Sequence, residues 1–319
     1  MIIMKLRGID FGNVLGASGV QGFFGEGYPF HHFPLVGPNF KGMTFVSKTC
    51  TLLKNKGHMP LRNDFTPKEW FPKCIKVNFL KGLAVNSVGL SNPGICTLFR
   101  KKIWQKLDKP FFISITSLAE TAKDRINEFS IIRDAIGMNM RDFTSPFGIQ
   151  VNLSCPNTGH DSSRMIAESV SVLEILGRLG VPLMPKYSIE SAPFGAMMEL
   201  NENPDCDAIC VSNTVPFGWD KIDFKEAWGS YESPLAHLGG GGLSGKALKP
   251  LVLEYILKLR SLGFEKPING GGGILCKKNV LDYCKAGAAS VFLGSVAFLR
   301  PWRVKGIIEY ADSLKWQYC

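Results

Sequence analysis

Short apolar runs recur along the chain, each followed by a loop of Gly, Asn, Ser or Thr and then by a stretch whose apolar positions repeat at helical spacing. The runs predict strands at 42–48, 82–87, 110–116, 147–154, 181–186, 207–213, 266–271 and 289–294. Helix candidates lie between most of them, the longest being 117–137 and 245–263. Strands that are nearly continuously apolar belong to a parallel sheet covered on its outside, and eight strand–helix units predict an α/β fold of the (β/α)8 TIM-barrel type. A doubly wound open sheet is the alternative. The first forty residues break the pattern: "LRGIDFGNVLGASGV" reads as a short N-terminal β-hairpin closing the bottom of the barrel, and "QGFFGEGYPFHHFPLVGPNF" is too rich in Gly, Pro and Phe for a helix.

Composition narrows the picture. The 319 residues, 45% hydrophobic, suffice for one large core, and no linker or low-complexity tract divides the chain, so 1–319 is read as a single domain. Nine scattered cysteines without a CxxC pair or Cys/His ligand spacing indicate neither a disulfide framework nor a metal site, and a reducing cytoplasm is the expected location. The start lacks the features of a signal peptide, and no apolar run is long enough to span a bilayer. A net charge of +10 suits nucleic acid, an anionic membrane surface or small anionic substrates. The lysines are dispersed, however, and clusters such as "RKKIWQK" at 100–106 read as solvated helix faces.

A barrel collects its chemistry at the C-terminal ends of its strands, and those ends are polar here. They carry Lys48-Thr49, Asn86-Ser87, Ser114 and Thr116, Asn152 with Ser154-Cys155, Lys186, Asn213-Thr214, the run Gly270–Gly273, and Gly294-Ser295. Any one of these residues alone reads as a turn or cap; the set converges on one rim. "PINGGGGIL" and "FLGSVAF", at the last two strand ends, leave backbone N–H groups unobstructed and can cradle a phosphate, where tight turns are the plain alternative. A third run, "GGGGLSG" at 239–245, adds to a rim that suits a nucleotide-type cofactor. Cys155, in "VNLSCPNTGH", is either a catalytic thiol or a small residue at a strand end.

Taken in order, "NVLGASGV" (13–20), "VSKT" (46–49), "NSVGLSNPG" (86–94), "VNLSCPNT" (151–158), Lys186, "SNT" (212–214), "GGLSGKAL" (241–248), "PINGGGGI" (267–274) and "FLGS" (292–295) resemble the dihydroorotate dehydrogenases, flavin-dependent (β/α)8 barrels. The likeness covers nearly the whole chain. It implies an FMN with its phosphate on Gly272, Gly273, Gly294 and Ser295, and with Ala17, Ser18, Lys48, Thr49 and Lys186 around the ring system. Asn86, Asn152, Val211, Gly242, Gly245 and Gly271 complete the implied cofactor site. Asn86, Asn152, Asn157 and Asn213 would hold the pyrimidine, helped by Lys48, Thr214 and the Gly89-Leu90 backbone. Cys155 stands where the family keeps the base that takes the C5 proton, while the flavin takes the C6 hydride.

The chemistry asks for the same residue types. Dihydroorotate is a cyclic imide with a carboxylate, so it needs fixed donor and acceptor forks, which asparagine amides supply, and a cation, for which Lys48 is the candidate. Lys186 suits the stabilisation of negative charge on a reduced flavin. Membrane-associated members of the family carry serine as base and a quinone-binding N-terminal extension; soluble members mostly carry cysteine and pass electrons to fumarate or, through an iron–sulfur flavoprotein partner subunit, to NAD, with neither membrane nor nucleic acid as a partner. Cysteine without an extension places this chain with the second group, with fumarate the preferred acceptor and a homodimer the expected assembly. The stretch "GFFGEGYPFHHFPLVGPNF" departs from that group's helical spacer; its His31 and His32 are either contacts for a partner or acceptor or solvated loop histidines. A tRNA dihydrouridine reductase is disfavoured because no residues remain for an RNA-binding domain. A dihydropyrimidine dehydrogenase-like module would carry cluster cysteines missing here, and a catalytically silent flavin-binding protein would not need base, lysines and amides together.

Overall fold

The computed structural model describes residues 4–34, 36–153 and 168–316. A two-residue hairpin, β1 (Lys5–Leu6) and β2 (Ile9–Asp10), precedes the barrel. In chain order there follow β3 (Val14–Gly16), β4 (Ile75–Asn78), β5 (Leu83–Asn86), β6 (Phe111–Ile115), β7 (Phe147–Asn152), β8 (Leu183–Tyr187), β9 (Ile209–Val211), β10 (Val215–Pro216), β11 (Gly242–Gly245), β12 (Ile268–Gly270) and β13 (Ser290–Leu293). Seven of these form one parallel sheet in the order β3-β13-β12-β9-β8-β7-β6. Residues 44–50 close the ring between β3 and β6 through parallel bridges pairing Leu15 with Thr44, Val46 with Phe112, and Cys50 with Ile115. The result is a (β/α)8 barrel with eight staves.

One expected strand gives up its place in the barrel. Residues 82–87 do form a strand, but β5 is antiparallel and belongs to a second sheet, β10-β11-β5-β4. The first stave is instead β3, inside the stretch expected to be hairpin alone. An apolar run shows that a strand forms and not which neighbour it meets; Gly241 and Gly245, where a Cβ would run into the backbone of residues 82–86, let β11 lie against β5 and claim it for the second sheet.

The barrel interior is plugged by Leu15, Val46, Phe112, Met184, Cys210 and Phe292, one from each of six staves, with Met4, Leu6 and Phe11 from the hairpin region below. Gly148 on β7 is required here, since a Cβ would meet the Phe112 ring at 2.5 Å. Outside the barrel, Ile149 and Val151 share a core with Phe129, Ile132 and Ile136 of the helix Ala122–Asn139 and with Val172, Leu173 and Leu176 of the helix Ser169–Gly177. That first helix and Leu248–Ser261 are the two long helices the spacing predicts.

The segment after β3 is no solvated loop. His31 is buried, its ring 5.4 Å from Tyr28, 4.5 Å from Phe30, 5.5 Å from Phe40 and 5.7 Å from Phe298. Its Nδ1 accepts the Tyr28 N–H at 3.2 Å. Only His32 matches the solvated alternative. Burial, aided by neighbouring His32, pushes the His31 imidazole down to about 4. The folded state therefore keeps His31 neutral while the unfolded chain protonates it near 6.5, so its contribution is complete above 6.5 and is lost as pH falls towards 4. The melting temperature is expected to fall over that window, and His31→Gln should flatten the slope; an unchanged slope in the variant would contradict this.

Candidate active site

Seven of the eight staves deliver residues at their C-terminal ends to one cleft, which encloses about 1220 Å³ of empty space, its open mouth included. At the floor is a polar network. Ser18 Oγ lies 2.7 Å from Thr49 Oγ1 and donates to Ser114 Oγ at 3.1 Å, and Thr49 and Ser114 are 2.9 Å apart. Asn152 Nδ2 donates to Thr49 Oγ1 at 3.4 Å, and Asn152 Oδ1 accepts from Asn213 Nδ2 at 3.0 Å. The amide of Asn213 is turned in the same way, since its Oδ1 accepts the Thr214 N–H at 3.0 Å. Each amide is thus oriented before any ligand arrives, and leaving one such buried donor without an acceptor costs about 1–3 kcal/mol.

Two buried cations sit beside this floor. Lys48 Nζ donates to the Ser91 carbonyl at 2.6 Å and lies 5.3 Å from the Phe23 ring centroid; Lys186 Nζ lies 5.6 Å from that of Phe292. Gly89 and Leu90, both with positive φ, line the cleft in a turn whose carbonyls accept Asn55 Nδ2 at 2.7 and 3.1 Å.

Of the residues predicted from sequence, Ala17, Ser18, Lys48, Thr49, Asn86, Gly89, Leu90, Asn152, Lys186, Asn213, Thr214, Gly272, Gly273, Gly294 and Ser295 line the cleft together. Val211, Gly242, Gly245 and Gly271 do not; they stand behind it. Gly271 donates to the Val211 carbonyl at 2.7 Å, and a Cβ on Gly271 would meet the cleft-lining Phe292 ring at 2.5 Å. Gly242 pairs with Asn86, and the Gly245 carbonyl lies 2.5 Å from where a Cβ of Gly273 would be. Cys155 and Asn157 lie outside the described residues. Sequence reading missed an apolar wall of Tyr28, Ile75, Val88 and Phe298.

The glycine ends fit a phosphate. Gly272 and Gly273 both have positive φ, and a Cβ on Gly294 would come within 2.9 Å of Ala17 Cβ, so backbone rather than side chain faces this end of the cleft. The two cations supply counter-charge for an anionic cofactor and substrate. Among the described residues no group of three His, Cys, Asp or Glu could hold a metal.

A (β/α)8 barrel with glycine-lined ends on its last two strands and a cleft of oriented amides defines a nucleotide-cofactor enzyme. The profile of the dihydroorotate dehydrogenase family matches residues 1–314, and the chain belongs to that family. Its reaction is the oxidation of dihydroorotate to orotate, and its cofactor is FMN. Among its relatives, the catalytic subunit of dihydroorotate dehydrogenase B (NAD(+)) from Petrotoga mobilis is 28% identical over 313 residues, 96% of this chain and 91% of that protein. Dihydroorotate dehydrogenase A (fumarate) from Limosilactobacillus reuteri is 26% identical over 308 residues, 94% and 88% of the two chains. The crystal structure of the Eimeria tenella enzyme in complex with ferulenol shares the fold, with a TM-score of 0.67 at 15% identity over 96% of this chain and 82% of that one.

Ser295 tests the phosphate end without straining a glycine. Ser295→Asp is expected to weaken FMN binding about tenfold or more, because like charges in contact cost several kcal/mol. Flavin absorbance per chain after gel filtration and rebinding to the apoprotein measure it; full occupancy in a folded variant would contradict the site.

Proposed function

We propose that Cys155 is the base that takes the C5 proton of dihydroorotate, and that the cleft residues divide between cofactor and substrate as the resemblance implies. Gly272, Gly273, Gly294 and Ser295 would hold the FMN phosphate, with Ala17, Ser18, Thr49 and Lys186 along the ring system. When bound, FMN supplies the acceptor for the hydride leaving C6. Asn86, Asn152, Asn157 and Asn213, with Thr214 and the Gly89-Leu90 backbone, would grip the imide, and Lys48 would meet the carboxylate. The observation that carries this reading is the preset amide pair, Asn213 Nδ2 to Asn152 Oδ1 at 3.0 Å, beside two buried lysines.

The other thiols near the cleft support the choice of Cys155. Burial pushes Cys50 and Cys210 up to about 12 and Cys74 up to about 11, despite the opposing pull of Lys48 or Lys186. None of these is a base at neutral pH. An ordinary thiol ionises near 8.5, far below a serine hydroxyl, so an accessible cysteine serves without a relay. Lys186 would balance negative charge that develops as electrons leave the substrate.

For the acceptor, fumarate is our choice over NAD through an iron–sulfur flavoprotein subunit, a choice supported by the likeness to dihydroorotate dehydrogenase A (fumarate) over 94% of this chain. A cytoplasmic location is supported by the seven described cysteines, all free thiols, and a homodimer is the proposed assembly. No helix among the described residues is long and apolar enough to cross a membrane.

Two experiments test these assignments. Cys155→Ala should slow anaerobic flavin reduction by dihydroorotate about 10²–10⁴-fold, the usual worth of a positioned base. Orotate binding should persist, and the rise of the wild-type rate with pH should disappear in the variant. Reduction within a few-fold of wild type would remove the role. Turnover of the isolated chain with fumarate, NAD and a quinone in parallel should favour fumarate; fast quinone turnover with none for fumarate would overturn the acceptor.

A further inference from the structure

The apolar wall of the cleft continues outward into an exposed aromatic patch. Phe298 and Tyr28 line the cleft, and Phe30 lies 5.3 Å from the first and 5.7 Å from the second, centroid to centroid. Phe30 in turn stacks on Phe71 at 5.5 Å, and Phe33 meets Trp70 at 5.6 Å. These rings come from two loops, the 3-10 turn Pro29–His32 with its following residues and the stretch 68–73. The outer rings are open to solvent: Phe33 is 44% exposed, Trp70 54% and Phe71 68%. Bulky rings held at loop tips are costly to leave in water unless something covers them.

The surrounding charge says what. Lys54, Lys56, Arg62, Lys68, Lys73, Lys76 and Lys81 are all exposed within residues 51–81, against only Asp64 and Glu69 as acids. Three of the basic residues frame the aromatic tip directly. Lys68 and Lys73 flank "EWFP" in the chain, and the Arg62 guanidinium donates to the Lys68 carbonyl at 3.4 Å. The Glu69 carboxylate accepts the Lys73 N–H at 2.8 Å and lies 3.9 Å from Lys73 Nζ, an exposed pair of little strength. Half of the chain's net charge of +10 thus falls within residues 51–81, the stretch that carries Trp70 and Phe71.

We propose that the Phe33–Trp70–Phe71 patch docks the enzyme peripherally on an anionic lipid bilayer, the rings entering the headgroup boundary and the basic side chains meeting lipid phosphates. Trp and Phe beside Lys and Arg are the composition of an interfacial anchor. A second copy of this chain is a poor occupant, since an isologous contact would bring two such basic surfaces together. Nucleic acid fits less well because the rings already cover one another, Phe30 and Phe71 at an interplanar angle of 17° and Phe33 and Trp70 at 34°. Docking would turn the mouth of the cleft towards the bilayer without any membrane-spanning segment.

Sedimentation of the holoenzyme with sucrose-loaded vesicles tests this. Binding is expected to phosphatidylcholine vesicles carrying roughly a third phosphatidylglycerol, to weaken in high salt, and to be faint with phosphatidylcholine alone. The Lys68→Glu/Lys73→Glu and Trp70→Ser/Phe71→Ser double variants should each bind about tenfold or more weakly, since one basic residue at an anionic surface is worth about fivefold. Both should keep their flavin and their dihydroorotate turnover. In wild type, brominated lipid should quench tryptophan fluorescence, and Trp70→Phe should lose most of that quenching while still sedimenting. No binding to anionic vesicles would overturn the proposal. So would binding that survives loss of the aromatic pair, quenching unchanged in Trp70→Phe, or retention on RNA or an acidic protein in place of vesicles.

Discussion

Closure of the barrel through residues 44–50 is the constraint on which the site depends. That segment is stitched on both sides: Thr44 donates to the Val14 carbonyl at 2.8 Å and Gly16 to Thr44 at 2.9 Å, while Ser47 donates to Phe112 at 2.9 Å and Cys50 to Ser114 at 3.0 Å. The ring cannot close without it, and closure fixes Lys48 and Thr49 between β3, which carries the chain to Ser18, and β6, which carries Ser114. The hydroxyl network at the cleft floor is a direct consequence. Its members come from three separate segments whose register the backbone has already set.

The floor network then sets the amides. A free asparagine side chain can present either its oxygen or its nitrogen to a ligand. With Thr49 accepting from Asn152 Nδ2, and Asn152 Oδ1 accepting from Asn213, the choice is made in advance. Binding a substrate then costs less reorganisation, which is the sense in which a polar, buried floor contributes to a reaction rather than to stability alone. The apolar plug below, which includes Phe112 and the cleft-lining Phe292, fills the barrel beneath that floor.

The residues legible in the sequence were those whose position follows from strand period. Lys48, Asn152, Lys186, Asn213, Gly272 and Ser295 each follow an apolar run, and parallel strands must release such residues on one rim. What was not legible depends on contacts between distant loops. Tyr28, Ile75, Val88 and Phe298 form one wall although no local pattern links them. His31 reads as a polar loop residue, yet four aromatic rings bury it. The strand at 82–87 was visible and its partner was not, because β11 joins it only after the glycines at 241–245 let the backbones approach. Gly242, Gly245 and Gly271, which the resemblance implies as part of the cofactor site, stand behind the lining of the cleft and shape its neighbours.

The account rests on one claim, that this cleft takes electrons from dihydroorotate. Its most direct test is an anaerobic titration of the purified holoprotein followed by visible absorbance. The account predicts that dihydroorotate bleaches the flavin band and that orotate appears in equal amount to the flavin reduced. A flavin band that stays unchanged with excess dihydroorotate, yet bleaches fully with dithionite, would contradict it.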